Sequence, residues 1–323
     1  GNDTWVGHVY RRSDTGNSPS DANAFANYYG TITESETFDE NFGGASVCFP
    51  ISASEGARSF SSGTYFSVRY RMTSSKTGAY IVSIGSDDGS RLYVDGSLVY
   101  NRWVNRSFTT DNNILLGLTG SSNIILDFFE STADNRISFQ NFTKVPNTLT
   151  DGSTQGICQS GTLVSIVGNN ALTDAPISGT TGYTVSYQWQ EASVESGPWS
   201  NISGATLKDY TPTVSAVGVY YYRRAITVSK NNLGYPNGTN IPVTITDYSN
   251  VATITISALP IITTQPVSPA PVCVGEVITS LSVVATNAAS YQWFSNSVNS
   301  TVGATSIDGA TLSSFSPSSA TSG

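Results

Sequence analysis

Apolar and polar residues alternate with a period of two along most of the chain. In "TYFSVRYRM", Phe66, Val68, Tyr70 and Met72 fall on one side and Ser67, Arg69 and Arg71 on the other. That is the pattern of a strand with one buried face. "WVGHVYR" opens the chain as a first strand, and "AYIVSIG", "RLYVDG", "NIILDFFES", "RISFQNF", "VSYQWQ", "GVYYYRRAITV" and "VATITIS" follow. Each is rich in β-branched or aromatic residues and bounded by Gly, Asn, Asp or Ser. Helical periodicity of useful length is absent. Many short strands separated by turn signals predict an all-β fold built of sandwiches rather than a parallel sheet.

Two polar Pro/Gly/Thr segments, "KVPNTLTDGSTQG" and "ALPIITTQPVSPAP", divide the pattern. Domains are therefore expected at 1–148, 149–258 and 259–323. The second and third blocks read as copies. "SYQWQ" around Trp189 returns as "SYQWF" around Trp293, and "SGATLKDYTP" from Ser203 returns as "DGATLSSFSP" from Asp308. Two landmarks repeating at one period indicate tandem domains of about 100 residues. The third copy stops at Gly323 before any counterpart of "GVYYYRRAITV", so it is expected to be incomplete and the natural chain to continue.

At 323 residues the chain is long enough for several cores. Charged residues make up only 12% of it, and Ser, Thr, Asn and Gly fill the polar positions, as in secreted or surface-displayed β-proteins. "GNDTW" reads as a mature end left after export, which places the protein outside the cell. A net charge of −8 would repel nucleic acid. No apolar run is long enough to span a membrane.

The chemistry available is narrow. His8 is the single histidine, and it lies on a strand without a strained nucleophile turn, so a Ser-His-Asp or Cys-His triad has no support. No glycine-rich loop leads from a strand into a helix. Three cysteines, Cys48, Cys158 and Cys273, exclude a dense disulfide scaffold and any Cys-x-x-Cys motif. An odd number leaves one thiol free or paired outside this chain. The protein reads as a binder rather than an enzyme.

One stretch stands out: "VSIGSDDGSRLYVDG", residues 82–96, with adjacent aspartates Asp87 and Asp88. Neighbouring side chains of a regular strand point to opposite faces, so the two can meet one cation only if the backbone between them is bent or cis. Calcium could then take both carboxylates, with carbonyls, loop side chains and water completing about six to eight positions. Asp134 and Asn135 are candidate further metal ligands, Asn101 and Glu130 candidate ligand-binding residues, and Trp103 or Tyr100 a candidate apolar wall. The other reading is a plain turn, because Asp caps its own turns. Asp95-Gly96 reads as a hairpin turn alone.

The tandem blocks resemble the immunoglobulin-like repeats of large secreted and cell-surface proteins of the Bacteroidota, many of them adhesins exported by the type nine secretion system. The resemblance rests on Cys158, "YQW" at Tyr187 to Trp189, "WSNISGAT" from Trp199, "YTP" at Tyr210, "YYYRR" at Tyr220 and "SNVATITI" from Ser249. It implies that Trp189 fills space between two sheets. Such repeats usually carry a second cysteine after the Tyr-Arg-Arg strand, and this chain has none there. That departure leads to the expectation of a Cys48–Cys158 disulfide at the junction of the first two blocks, with Cys273 awaiting a cysteine beyond Gly323.

The first block resembles the protective-antigen-like (PA-14) β-sandwich of toxins, glycosidases and microbial adhesins. "SDDGSRLYVDGSLVYNRW" from Ser86 to Trp103 carries the resemblance, supported by "WVGHVYR", "YFSVRYR" and "IILDFFES". It implies the calcium-dependent sugar binding that the adhesin branch performs with adjacent aspartates. The combined expectation is the head of a bacterial surface adhesin on immunoglobulin-like stalk repeats, with an extracellular glycan as partner and gliding motility as a setting. The alternative is a structural cap, or a module docking to the secretion or motility machinery of the cell envelope.

Overall fold

In the computed structural model, which describes residues 2–44, 48–53, 56–61, 65–131, 134–171, 182–235 and 239–318, the alternating segments of the first block become strands. They are β1 (Trp5–Arg11), β2 (Asn27–Glu34), β3 (Phe38–Asn41), β4 (Cys48–Ala53), β5 (Gly56–Ser61), β6 (Phe66–Ser74), β7 (Thr77–Asp87), β8 (Gly89–Val94), β9 (Ser97–Arg102), β10 (Thr109–Thr119), β11 (Ser122–Glu130) and β12 (Arg136–Lys144). One helical turn, Asp21–Ala24, is the only helix among the described residues. The strands form an eight-stranded sheet in the order β5-β4-β2-β1-β6-β11-β8-β9 and a four-stranded sheet in the order β10-β7-β12-β3. The all-β expectation holds.

The period-two pattern explains how the two sheets close. Phe66, Val68 and Tyr70 of β6 are fully buried. Between the sheets lies Trp5, also fully buried, its ring 5.0 Å from Phe139 on the small sheet and 6.4 Å from Tyr70 on the large one. Edge-to-face aromatic packing of this kind adds to the area buried. On the opposite face of β6, Arg69 donates two hydrogen bonds to Asp127 at 2.7 and 2.8 Å. Arg91 donates to the same carboxylate at 2.9 Å, so a fully buried aspartate is held by two guanidinium groups.

Asp95 and Gly96 form the β8–β9 hairpin with φ of 48° and 80°, the pair of positive values a tight primed turn requires. Asp95 does more than turn the chain: its Oδ1 accepts the Asn123 N–H at 2.7 Å and so anchors the start of β11.

Later strands are β13 (Thr154–Cys158), β14 (Tyr183–Ala192), β15 (Ser200–Asn201), β16 (Gly218–Leu233), β17 (Asn240–Tyr248) and β18 (Ala252–Ser257). The chain divides into two compact units. The first comprises 1–153, 165–210 and 221–252. Within it, β14 and β17 both pair antiparallel with β16. Trp189 is fully buried, donates its indole N–H to Leu207 O at 3.0 Å and packs 5.5 Å from Tyr210. This is the core role expected of it.

Within that unit the first sandwich and β16–β17 are tied by buried polar bonds. The Asn232 side chain accepts from the Leu115 N–H at 3.0 Å and donates to the carbonyls of Leu115 and Val99, both at 2.9 Å. Tyr183 and Lys230 both donate to Asn113 O, at 2.5 and 2.6 Å. Ile245 occupies the space where a side chain at Gly117 would stand.

The second unit comprises 154–164, 211–220 and 253–323. Its β13 runs parallel to β18. Around Trp293 it repeats the local bonding seen at Trp189. The Trp293 indole N–H donates to Leu312 O at 2.8 Å, and the Gln292 side chain bonds Trp293 O and Ile307 O, as Gln188 bonds Trp189 O and Ile202 O. The repeat legible in the sequence is thus a repeat of hydrogen bonds.

Cys48, Cys158 and Cys273 are exposed free thiols. The expected Cys48–Cys158 disulfide is not made. Cys48 opens the β4–β5 hairpin opposite Ser61 in the first unit, and Cys158 ends β13 opposite Ser257 in the second.

Candidate functional site

Three connections cross between the two sheets at one end of the first sandwich. β7 passes to β8 through Asp88 alone, β9 to β10 through residues 103–108, and β11 to β12 through residues 131–135. Register places them together, because Asp87 faces Arg136, Gly89 faces Phe129 and Ser86 faces Thr109. "SDDGS" is therefore a change of sheet rather than a hairpin turn.

The Asp87–Asp88 peptide bond is cis. One carboxylate oxygen each of Asp87, Asp88 and Glu130 lie within 4.8 Å of one another. Asp88 and Glu130 are buried, at 2% and 1% exposure, while Asp87 stays partly open to solvent. The aspartates also knit the crossings. Asp87 Oδ2 accepts the Phe108 N–H at 2.9 Å, Asp88 Oδ1 the Arg106 N–H at 3.1 Å and Asp88 Oδ2 the Ser131 N–H at 2.7 Å.

These bonds favour the ionised form, but burial outweighs them. Burial raises Asp87 to about 6, with the charges of Asp88 and Asp134 adding to the rise against the Phe108 N–H. Burial likewise raises Asp88, opposed by the N–H groups of Ser131 and Arg106. A cluster of carboxylates that resist ionising together is one that a cation would relieve.

Gly89 is required by the close approach of the crossings. A Cβ there would collide with the Phe129 ring and stand 2.8 Å from the Val104 nitrogen. Arg12, buried beneath the site, donates to Glu130 O at 3.1 Å and Ser131 Oγ at 2.9 Å. It fixes the β11–β12 crossing.

Of the expected site residues, the structure brings Asp87, Asp88 and Glu130 together. Asp134 is exposed on the same crossing, within electrostatic reach of Asp87. Asn135 is buried and serves the loop after β3: its Oδ1 accepts the Gly44 N–H at 2.9 Å and its carbonyl the Phe42 N–H at 3.0 Å. Asn101 accepts the Trp103 N–H at 2.9 Å and shapes the end of β9. The apolar wall is corrected. Trp103 is 6% exposed, packs on Phe129 at 4.7 Å and donates its indole N–H to Pro19 O at 2.7 Å. Tyr100 is fully buried, with its hydroxyl on Asp111 at 2.9 Å. Tyr100 faces the main core from β9, and Trp103 packs in a separate cluster with Ala24, Phe25 and Phe129.

The donor set suits calcium. Calcium–oxygen bonds of about 2.3–2.6 Å allow two ligands of one ion to lie at most about 5 Å apart, and the three carboxylates fall inside that limit. All three offer hard oxygen donors, each able to bind a cation while accepting an N–H. Asp87, Asp88 and Glu130 would hold the ion, which would supply positions open to oxygen ligands from solvent. His8, the residue a triad would need, sits half-buried on β1 with its ring 6.1 Å from Tyr28.

The PA14 domain matches residues 59–140, a span that includes Asp87, Asp88 and Glu130. No curated protein matches the chain. Among solved structures, the chain is similar to the PA14 domain of the MpAFP antifreeze protein, at 17% identity and a TM-score of 0.34, over 43% of this chain and 79% of that one. It is also similar to a PA14 sugar-binding domain from an RTX adhesin, at 15% identity and a TM-score of 0.33, over 43% of this chain and 93% of that one. An anti-sigma factor domain-containing protein from Clostridium clariflavum matches at 11% identity and a TM-score of 0.31, over 77% of this chain and 92% of that one. Among the described residues no helix is long and apolar enough to cross a membrane.

Proposed function

We propose that the first block is a calcium-assisted carbohydrate-binding head, and that the later blocks are stalk repeats of an extracellular, cell-surface adhesin. The observation that carries this reading is the convergence of Asp87, Asp88 and Glu130 oxygens within 4.8 Å at the end of the sandwich where the sheets exchange strands. The PA14 match across the same residues supports it. An ion held there by three carboxylates keeps some of its six to eight positions for outside oxygens. Two vicinal hydroxyls of a sugar ring replace two waters in such positions, and the partly open Asp87 together with the exposed Asp134 gives the approach.

The repeated bonding around Trp189 and Trp293 supports the stalk role, since repeats of one kind serve as spacers between a head and its anchor. Export by a type nine system and a place in gliding motility belong to the same reading, through the immunoglobulin-like repeat pattern.

A second reading has its own observation. Asp87 and Asp88 accept three backbone N–H groups from two neighbouring crossings, which is work enough for a purely structural pair. On that reading the first block is a cap, or docks to envelope machinery. A glycan array separates the two. The head is expected to retain glycans in calcium, and to lose them in EDTA and in Asp87→Asn/Asp88→Asn. No glycan binding by the folded chain in calcium would favour the cap, and glycan binding indifferent to EDTA and to the double substitution would overturn the calcium role.

A further inference from the structure

Away from the aspartate site, a cleft of about 390 Å³ opens between the sheets at the edge formed by β2, β3 and β4. Glu34 and Glu40 line it. Their direction follows from register. Glu34 shares a face of β2 with Ile32, which packs on the core. Glu40 shares a face of β3 with Phe38, whose ring lies 5.0 Å from Tyr70 in the interior. A carboxylate from each sheet therefore points inward at the rim. Neither carboxylate has a hydrogen-bond or ion-pair partner among the described residues; the nearby Glu36, by contrast, pairs with Lys76 at 2.9 Å.

Next to Ile32, which lines the cleft, Tyr70 supplies an independent sign of a missing ligand. Tyr70 is fully buried and its hydroxyl has no hydrogen-bond partner. Its ring crosses above Gly7, where a Cβ would meet Tyr70 Cε1 at 2.7 Å and Ile32 Cγ1 at 2.8 Å. The hydroxyl thus runs from β6 toward β2 and the two glutamates, whose charges it feels. A buried hydroxyl without a partner is unfavourable and is relieved by a ligand that bonds it. Phe42, Phe49 and Ile51 give the cleft apolar walls.

From this geometry we infer that the Glu34–Glu40 cleft is a binding site for an ammonium group carried on an apolar stem, such as a lysine side chain of a partner or a free alkylamine. An ammonium has three N–H donors and no acceptor. It meets here one carboxylate from each sheet, with the unpartnered Tyr70 hydroxyl directed toward the same two groups, while its stem lies against aromatic and aliphatic side chains. A calcium ion would want six to eight oxygens, which these walls do not provide.

The test is an amide-shift titration of the whole isotope-labelled chain with n-butylammonium, in EDTA, with n-butanol as the uncharged control. Saturable shifts at Ile32–Glu34, Glu40, Phe49, Ile51 and Ser52 are expected with the ammonium and not with the alcohol. Glu34→Gln/Glu40→Gln should weaken the response at least about tenfold, as loss of charge-assisted bonds requires. Glu40→Gln alone, on the edge strand, should weaken it several-fold and guards against misfolding of the double variant. Asp87→Asn/Asp88→Asn should leave it unchanged, so the outcome is independent of the calcium site. No saturable shift, an equal response to butanol, or full binding by the folded glutamine variants would overturn the assignment.

Discussion

Asp88 accepts the Ser131 N–H at 2.7 Å, so the one residue that carries the chain from the small sheet to the large one also fastens the next crossing. Its other oxygen holds the Arg106 N–H. Asp88→Ala would leave two N–H groups without their acceptor, at about 1–3 kcal/mol for each that stays buried. Asp88→Asn keeps one acceptor oxygen and should cost less. Urea denaturation in EDTA is expected to rank wild type above Asn and Asn above Ala. Equal stability of all three would show that the pair does not hold the crossings.

Gly89→Ala tests the same region without touching a carboxylate. The added methyl meets the Phe129 ring and the Val104 backbone nitrogen, and backbone cannot swing aside as a flexible side chain does. A loss of about 1–3 kcal/mol is expected, as for overpacking elsewhere in a core. Calcium affinity should fall as well, because the crossings must separate.

Asn232→Ala probes the tie between β16 and the first sandwich. It strands the Leu115 N–H and the carbonyls of Leu115 and Val99. Stability should fall by about 1–3 kcal/mol or more, read as a lower denaturation midpoint, and exchange of the Leu115 amide should accelerate. Unchanged exchange would mean that water replaces the side chain at no cost.

Glu34 gives a pH dependence. Burial first, and the charge of Glu40 second, raise it from 4.5 to about 7 in the folded chain. Between those values the folded state holds a proton that the unfolded state has released. Unfolding free energy therefore falls as pH rises across that window; the contribution is complete below 4.5 and gone above about 7. Glu34→Gln stays neutral throughout and should flatten this part of a stability profile measured from about pH 4 to about pH 8. An unchanged slope would mean that Glu34 titrates at its ordinary value.

How much of this was legible beforehand depended on locality. Apolar patterning revealed β1, β6, β7, β8, β11, β12, β14, β16 and β18, because each turns β-branched or aromatic side chains into a core. It passed over β10, where the ladder slips between Asp111 and Ile114 and Asn113 takes a positive φ of 60°. It passed over β17 because Pro242 reads as a breaker, although the strand pairs along β16 opposite Asn231. The aspartate pair was visible because its residues are adjacent. Burial of Trp103 was not, since it follows from contacts with the distant Pro19, Ala24, Phe25 and Phe129 rather than from strand pattern. The same holds for the N–H donors of Arg106, Phe108 and Ser131, because any residue type supplies a backbone N–H. The Cys48–Cys158 pairing was not legible, because spacing along a chain does not say whether two sulfurs meet.

Calorimetric titration of the whole chain with calcium, against Asp87→Asn/Asp88→Asn folded in the same buffer, tests the central claim most directly. One ion per chain in the wild type, lost in the double variant, is the predicted result. Absence of binding by the folded wild type, or equal binding by the double variant, would contradict a calcium site at Asp87, Asp88 and Glu130.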